Sequence, residues 1–355
     1  MFRRILVTII TLLIEFNVQG QRFNFQPCYE YWKLTDKLRK GEKPTTEEWN
    51  KLRVADGYKR KPITEKGWKG FIDRVSLVYT PGNKELIHQK IKSDLQLQWI
   101  IQYAKEEANL KEYIFKLEHM HLMDSAKVYV QQKLPPKWKN CFPEPTVDFI
   151  LYDYDGSAKE YGITMDLLMS YHIETHKPGV FMGHELLHYA LWYCRTRFRR
   201  FKAVPLEHGP VFTAINGISE EGTADLIDKP VLLFDEHSPY LLRDTLMSLY
   251  KTQSISCVHK INEALEKLAD ESLDPYTSHS YWNSLMPSSG HIPGAYMGRL
   301  IQQNGLEDKL VKHIDNPFYF FYLYNDAAQK DKSNPPVFSK KAIRFVQLME
   351  RKYLK

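Results

Sequence analysis

The sequence has few cysteines and, beyond its first twenty residues, no long apolar run. Four of its 355 residues are cysteine, at positions 28, 141, 194 and 257. Their spacing is not that of a zinc finger or a redox-active pair, so sites of those two kinds are excluded. No segment after residue 20 is long and apolar enough to span a bilayer, and internal repeats and low-complexity stretches are also lacking. Membrane-spanning and repeat architectures are therefore not expected.

The composition is that of a globular protein. Apolar residues make up 43% of the chain and charged residues 26%, which is ample for a hydrophobic core. The formal net charge of +6 is spread over many lysines and arginines, and the densest basic run, 195–202, follows a predicted helix whose C-terminal end favours positive charge. The length is enough for two lobes or domains of ordinary size, and no nucleic-acid partner is predicted.

The N-terminus has the pattern of a secretory signal. Arg3 and Arg4 precede a short apolar run, residues 5–14, and Val18-Gln19-Gly20 offers small residues at the −3 and −1 positions of a cleavage site. The protein is therefore expected to be exported, periplasmic or extracellular, with no stable membrane insertion after cleavage. Disulfides can form there, but four cysteines allow three full pairings and buried free thiols are an equal alternative, so the pairing stays open.

The order of predicted elements indicates an α+β fold that is mostly helical. A helix is predicted to start near Thr45, where acidic residues occupy the first turn, and a long amphipathic helix covers 91–117. The pattern changes near residue 146. Strands are predicted over 147–154 and 160–171, and a small sheet of this kind suits packing against the helix that follows, 178–198.

Predicted domains follow the same order along the chain. They are the signal peptide at 1–20, a helical N-terminal lobe at 21–145, an α/β core at 146–230 and a helical C-terminal lobe at 231–355. Within the core, residues 203–217 are predicted as a connection leading to a second helix. The C-terminal lobe is predicted to contain two early helices, 239–251 and 255–270.

The motif His184-Glu185-Leu186-Leu187-His188 lies within the predicted helix 178–198. Residues four apart project from one face of a helix, so His184 and His188 can take two corners of a tetrahedral zinc site. Glu185 lies at the edge of that face, where its carboxylate can act on a water molecule as the general base of a metallopeptidase. The alternative is a buried helix with two incidental histidines.

A catalytic zinc takes a third protein ligand and keeps one position open. The metzincin pattern is excluded, because Leu191 and Cys194 stand where it needs glycine and histidine. Glu221 and Asp225 share a face of the second predicted helix. We predict that Glu221 binds the zinc and that Asp225 accepts a hydrogen bond from the ring nitrogen that a ligand histidine leaves free. The alternative is a solvated acidic helix start.

With these two segments, the sequence resembles the gluzincin superfamily of zinc metallopeptidases, the thermolysin-like class. The resemblance rests on His184-Glu185-x-x-His188 and Glu221-x-x-x-Asp225 and covers about 80 residues. The wider layout, including the segments near 47–58 and 291–297, resembles a bacterial family of exported zinc-dependent peptidases without established function. That resemblance implies a helical N-terminal lobe, a central α/β part with the motif and a helical C-terminal lobe.

The sequence also departs from thermolysin, since Glu220 replaces the asparagine before the ligand glutamate. The stretch Gly222-Thr223-Ala224-Asp225 is similar to the aspzincin pattern, in which aspartate is the third ligand, although the spacing is one residue short. Asp225 as third ligand therefore stays open as an alternative to Glu221. Glu220 and His208 are the next candidates if neither binds the metal.

Gluzincins supply a histidine or tyrosine from the C-terminal lobe to stabilise the oxyanion. The resemblance implies that His291 or Tyr296, at the start of a predicted helix, has this role, with His208 as a weaker candidate. The expected function is hydrolysis of a peptide or protein substrate with zinc as cofactor. The alternatives are a peptidase-like binding protein without activity and a zinc hydrolase of a non-peptide amide. Oligomeric state, subsite specificity and endo- or exopeptidase action stay open.

Overall fold

The computed structural model describes residues 23–117, 119–198, 201–272, 274 and 276–354. The predicted signal peptide, residues 1–20, lies outside the described residues. The described chain confirms the predicted fold class, because it is mostly helical with four short strands. None of its helices is long and apolar enough to cross a membrane.

The chain divides into two compact units. The first consists of Met1–Met123 and Pro145–Asp153, and the second of Asp124–Glu144 and Tyr154–Lys355. The predicted domain boundaries at residues 20, 145 and 230 remain predictions.

The first unit is helical with one parallel pair of strands, which joins Phe23 to Val147 and Asn24 to Asp148. Its elements are β1 (Phe23–Asn24), α1 (Gln26–Arg39), α2 (Thr46–Val54), α3 (Glu65–Tyr79), α4 (Lys84–Lys90), α5 (Leu95–Leu117) and β2 (Val147–Ile150). The long helix α5 starts at Leu95 rather than at residue 91 as predicted.

Capping and aromatic packing organise the first unit. The side chain of Thr45 accepts a hydrogen bond from the backbone N–H of Glu48 at 3.2 Å, and the Glu48 carboxylate accepts one from the N–H of Thr45 at 2.8 Å. This reciprocal cap confirms the predicted helix start. In the core, the buried ring of Tyr31 on α1 lies 6.2 Å from Phe71 on α3 and 6.3 Å from Tyr103 on α5.

The second unit contains a β-hairpin and most of the helices. Its elements are α6 (Leu122–Lys133, which begins just before the boundary), β3 (Gly156–Lys159), β4 (Gly162–Asp166), α7 (Leu167–His176), α8 (Val180–Phe198), α9 (Gly209–Leu232), α10 (Arg243–Ala269), α11 (His279–Ser284), α12 (His291–Gln303), α13 (Glu307–Lys312), α14 (Pro317–Lys330) and α15 (Lys340–Tyr353). Strands β3 and β4 pair antiparallel, with Gly156 opposite Met165, and pack on α8 as predicted.

The predicted second strand, 160–171, is wrong in its second half. Strand β4 ends at Asp166, and helix α7 begins at the next residue. The Asp166 carboxylate accepts hydrogen bonds from the backbone N–H groups of Leu168 and Met169, at 3.0 and 3.1 Å. An aspartate in this position caps a helix, and this outweighs the extended pattern of the residues that follow.

Other boundaries also differ from the prediction, and the first predicted strand, 147–154, ends at Ile150. The predicted connection 203–217 is already helical from Gly209, because Pro210 fits the first turn of a helix, where its missing N–H costs nothing. The two helices predicted over 239–251 and 255–270 form one continuous helix, α10. The polar residues between them do not interrupt it, since the Ser254 hydroxyl donates to the backbone oxygen of Tyr250 at 2.7 Å.

One disulfide is present in the second unit. It joins Cys141, in the loop after α6, to Cys194 on α8, while Cys28 and Cys257 are buried and lie outside this disulfide. The pairing that the sequence left open is therefore Cys141 with Cys194. The bond holds the C-terminal half of α8 to a loop 53 residues away in the sequence.

Candidate metal centre

Helix α8 presents the three motif residues, and a buried carboxylate fixes where this helix begins. Glu174, with no exposed surface, accepts hydrogen bonds from the backbone N–H groups of Gly179, Val180 and Met182. These are N–H groups that the first turn of a helix leaves without helical partners. The start of α8 is therefore anchored about one turn before His184.

Helices α9 and α12 bring the remaining polar side chains to α8. Glu221 and Asp225 lie one turn apart on α9, and His291 is the first residue of α12. One ligand atom from each of these three residues and one from His184 all lie within 4.8 Å of one another. The fold thus gathers the predicted carboxylates of α9 and one of the two predicted oxyanion donors around the motif helix.

His184, His188 and Glu221 form a compact triangle of ligand atoms. The Nε2 atoms of His184 and His188 are 3.1 Å apart. Oε2 of Glu221 lies 3.5 Å from Nε2 of His184 and 3.2 Å from Nε2 of His188. Zinc–nitrogen and zinc–oxygen bonds of about 2.0–2.1 Å imply tetrahedral edges of about 3.3–3.4 Å. The triangle has the size of one face of such a tetrahedron.

The surroundings of this triangle fit a bound cation. Oε2 of Glu221 is buried and has no hydrogen-bond partner within the described residues, although three imidazole rings surround it. Buried carboxylate oxygens normally have a partner. A divalent cation between Oε2 and the two Nε2 atoms would supply that partner, so the residues present fit zinc.

Two aspartates on α9 lie close to the Nδ1 atoms of His184 and His291. Oδ1 of Asp228 lies 3.1 Å from Nδ1 of His184, closer than Oδ1 of Asp225 at 3.8 Å. Asp225 instead forms a hydrogen bond of 2.8 Å with Nδ1 of His291. The carboxylate that is nearer to the free nitrogen of His184 is thus Asp228, and Asp225 orients His291.

A buried lysine joins these aspartates. Nζ of Lys229 is 2.8 Å from Oδ1 of Asp225 and 2.8 Å from Oδ2 of Asp228. All three side chains are almost completely buried. Oδ1 of Asp225 therefore already has two close partners, the Lys229 ammonium and the His291 ring, which leaves Glu221 as the freer ligand.

Charges within the cluster shift the pKa values of its members. Burial alone lowers the pKa of His184, but Asp228 and Glu221 beside it outweigh burial and hold the pKa well above its ordinary value. Burial also lowers the pKa of His188, and Glu221 again raises it overall. Burial raises the pKa of Glu221, whereas His188 and His291 hold it well below its ordinary value. Without a metal, positive imidazoles and a negative Glu221 stabilise one another.

Glu185 lies on the hairpin side of α8. A methyl group added to Gly156 of β3 would lie 2.5 Å from Oε1 of Glu185 and 2.8 Å from the Phe181 ring, so the carboxylate packs directly against the strand backbone. Burial raises the pKa of Glu185, and His184 and His188 oppose that rise. A carboxylate with a raised pKa is a stronger base, which suits the role of a general base.

The other candidates from the sequence lie away from this triangle. The Tyr296 ring packs between Tyr250 and Tyr324, with centroids 6.2 and 6.3 Å away. Tyr296 is five residues after His291, so it projects from another face of α12. The Glu220 carboxylate forms an ion pair with Arg195.

His208 also has a partner outside the cluster. Its ring forms a hydrogen bond with the Tyr353 hydroxyl at the end of α15. Burial and the nearby Lys352 lower its pKa. Neither Glu220 nor His208 therefore contributes to the triangle of ligand atoms.

Close contact between α9 and α12 brings His291 to the cluster. A methyl group at Gly294 would lie 2.8 Å from the backbone nitrogen of Gly222. One at Gly298 would overlap the Gly222 carbonyl oxygen. The two helix backbones touch at these glycines, and this contact aligns the start of α12 with Glu221.

Asp228 and Lys229 are not among the site residues predicted from the sequence. A signal for them was present, because they stand among apolar residues of a helix that is otherwise buried, and charged side chains are rarely buried unless paired. Asp228 is three residues after Asp225 and Lys229 four, so all three share one helix face with Glu221.

A family model described as "Putative zinc dependent peptidase (DUF5700)" matches residues 49–333 of the chain. The matched range includes every residue of the cluster described above. No curated protein and no solved structure matches the chain.

Proposed function

This chain belongs to a family of zinc-dependent peptidases, and we propose that it hydrolyses peptide bonds at the cluster formed by α8, α9 and α12. The observation that carries the proposal is the triangle of His184 Nε2, His188 Nε2 and Glu221 Oε2, whose edges are 3.1, 3.2 and 3.5 Å. We infer that these three atoms hold zinc and leave a fourth position open, as catalytic zinc sites do.

The proposed ligand set is that of the gluzincins, with Glu221 as the third ligand. Lys229 and His291 already contact Oδ1 of Asp225, whereas Oε2 of Glu221 has no hydrogen-bond partner among the described residues. This difference favours Glu221 over the aspzincin-like alternative. Held by His184, His188 and Glu221, zinc would supply the Lewis acidity that polarises a carbonyl and lowers the pKa of water.

Side chains of this protein carry out the proton transfer and stabilise the oxyanion. The Glu185 carboxylate accepts a proton from the attacking water and passes it to the leaving amine. His291 donates a hydrogen bond to the oxyanion, and Asp225 fixes the orientation of its ring through the 2.8 Å contact at Nδ1. We do not assign this role to Tyr296, because its ring packs against Tyr250 and Tyr324.

We also propose that the protein is exported. The N-terminal pattern of a signal peptide motivates this proposal, and the Cys141–Cys194 disulfide supports it, because such bonds persist in oxidising compartments. Mass spectrometry of the protein from the culture medium or periplasm would test it. A mature N-terminus at Gln21 is expected, and retention of residues 1–20 in the cytoplasm would contradict it.

The function is tested with Glu185→Gln, because an amide has nearly the shape of the carboxylate but cannot accept the proton. We expect this variant to retain about one zinc per chain and to cleave an unstructured protein such as casein about 10²–10⁴-fold more slowly than wild type. Metal analysis and a cleavage assay on the same preparations provide both values.

The control is Glu220→Gln, which removes a carboxylate that pairs with Arg195 away from the triangle. We expect this variant to keep both zinc and activity. Unchanged cleavage by Glu185→Gln would show that another group is the base. A zinc-loaded wild-type protein that leaves peptides uncut would contradict the proposed reaction itself.

A further inference from the structure

Lys229 is a charged residue inside the second unit that the proposed mechanism does not use. It lies near the end of α9, and only 6% of its surface is exposed. Asp225 and Asp228 beside it are each 2% exposed. Charges buried this deeply are costly unless they are paired, so the arrangement of the three groups is tightly constrained.

The ammonium of Lys229 contacts both aspartates at once. It lies 2.8 Å from Oδ1 of Asp225, one turn earlier on α9, and 2.8 Å from Oδ2 of Asp228, its neighbour in the sequence. Two buried carboxylates this close repel each other, and one positive charge between them removes that repulsion. Lys229 therefore determines where both carboxylates stand.

Each aspartate in turn contacts a different histidine. Asp228 presents its other oxygen, Oδ1, to Nδ1 of His184 at 3.1 Å, and Asp225 binds Nδ1 of His291 at 2.8 Å. A continuous series of polar contacts thus runs from His184 through Asp228, Lys229 and Asp225 to His291. It begins at a proposed zinc ligand and ends at the proposed oxyanion donor.

We propose that Lys229 is a positioning residue that sets the ring orientation of His184 and His291 together. Its charge holds Asp228 against the first ring and Asp225 against the second, so metal binding and transition-state stabilisation depend on one buried ammonium. This inference rests on the proposed zinc site. The effect of Lys229 on metal affinity, however, does not depend on which substrate is cleaved.

The experiment compares Lys229→Met, which keeps the length of the side chain but removes the charge, with Lys133→Met. Lys133 is a second buried lysine of the same unit, and it pairs with Glu307 instead of the cluster. Zinc affinity is measured by competition with a chelator, and kcat and KM are measured on a peptide substrate. Thermal unfolding identifies the variants that are folded.

We expect Lys229→Met to bind zinc about 10–100-fold more weakly, which is the usual loss when a group supporting a ligand is removed. We also expect kcat to fall more than KM changes, since His291 acts on the transition state. Lys133→Met should retain wild-type affinity and kcat even if its stability falls. Wild-type zinc affinity and kcat in a folded Lys229→Met would overturn the proposal.

If Lys229→Met does not fold, the negative charge that it leaves unpaired can be reduced by adding Asp225→Asn. The double variant, Lys229→Met with Asp225→Asn, is then compared with Asp225→Asn alone. The double variant should bind zinc more weakly, because Asp228 has lost its ammonium, and equal affinities would overturn the proposal. Weaker zinc binding in a protein that cleaves no peptide would support Lys229 while rejecting the proposed function.

Discussion

Glu220 and Glu221 are neighbours in the sequence with the same side chain but opposite surroundings. Glu220 pairs with Arg195, a buried residue of α8. Oε2 of Glu221 instead faces three imidazole nitrogens, at 3.5 Å from His184, 3.2 Å from His188 and 3.3 Å from His291. A rotation of about 100° per residue along a helix is enough to separate a structural carboxylate from a candidate metal ligand.

This difference predicts the order of zinc affinities among variants of α9. Glu221→Ala removes a proposed ligand. We therefore expect its zinc affinity to fall clearly more than the about 10–100-fold that is typical when a group supporting a ligand is lost. Asp228→Asn and Asp225→Ala should each stay within that smaller range. Competition with a zinc chelator, measured on the single variants, gives the order.

Glu220→Ala is the matched control for this series, and its zinc affinity should be that of the wild type. If Asp225→Ala proved severe and Glu221→Ala mild, Asp225 would be the third ligand, as in the aspzincin-like alternative. Small and equal losses in both would place the third ligand elsewhere.

Helices α9 and α12 show how the contact between two elements sets the site. Glycine at positions 222, 294 and 298 lets their backbones touch, and His291 stands one turn before Gly294. Any side chain at this crossing would separate the helices and move His291 away from Asp225. The glycines are thus needed for the distance between elements, although none of them takes part in the chemistry.

We predict that Gly298→Ala destabilises the protein by about 1–3 kcal/mol, the usual cost of adding a methyl group to a closely packed interior. The added carbon would overlap the Gly222 carbonyl oxygen, which is backbone and cannot rotate away. Urea denaturation would measure the change in the free energy of unfolding.

Gly217→Ala provides the control, because it lies in α9 with open space around the added carbon. There alanine should stabilise the helix by up to about 1 kcal/mol, since it is the better helix former. Equal effects at the two positions would mean that the tight crossing of α9 and α12 is not what makes Gly298 necessary.

On the scale of the second unit, the Cys141–Cys194 disulfide links the motif helix to a loop far from it in sequence. A covalent link across 53 residues reduces the freedom of the unfolded chain and so stabilises the folded one. We predict that Cys141→Ala with Cys194→Ala lowers the free energy of unfolding by about 2–5 kcal/mol.

Thermal unfolding with and without a reductant is the measurement for this prediction. The reductant should lower the unfolding temperature of the wild type and leave that of the double variant unchanged. A double variant that still responds to the reductant would show that the Cys141–Cys194 disulfide is not the bond on which stability depends.

Patterns that depend on near neighbours in the chain were predictable. The i, i+4 spacing of His184 and His188 requires only that their segment be helical, and the cap at Thr45 involves a residue three positions away. The class of fold and the packing of a small sheet on the motif helix followed from the same kind of local pattern. Short-range geometry suffices in these cases because the helix itself holds the side chains in place.

The arrangement between elements could not be read from spacing. Glu221, Asp225 and Asp228 all share one face of α9, so periodicity alone does not tell which carboxylate meets which histidine. That depends on how α9 is rotated against α8 and on how closely the glycines let α12 approach. Packing in the folded protein places Asp228 beside His184, Asp225 beside His291 and Lys229 between the two aspartates. A buried charge is stable only when it contacts a partner, and that partner can be far away in the sequence.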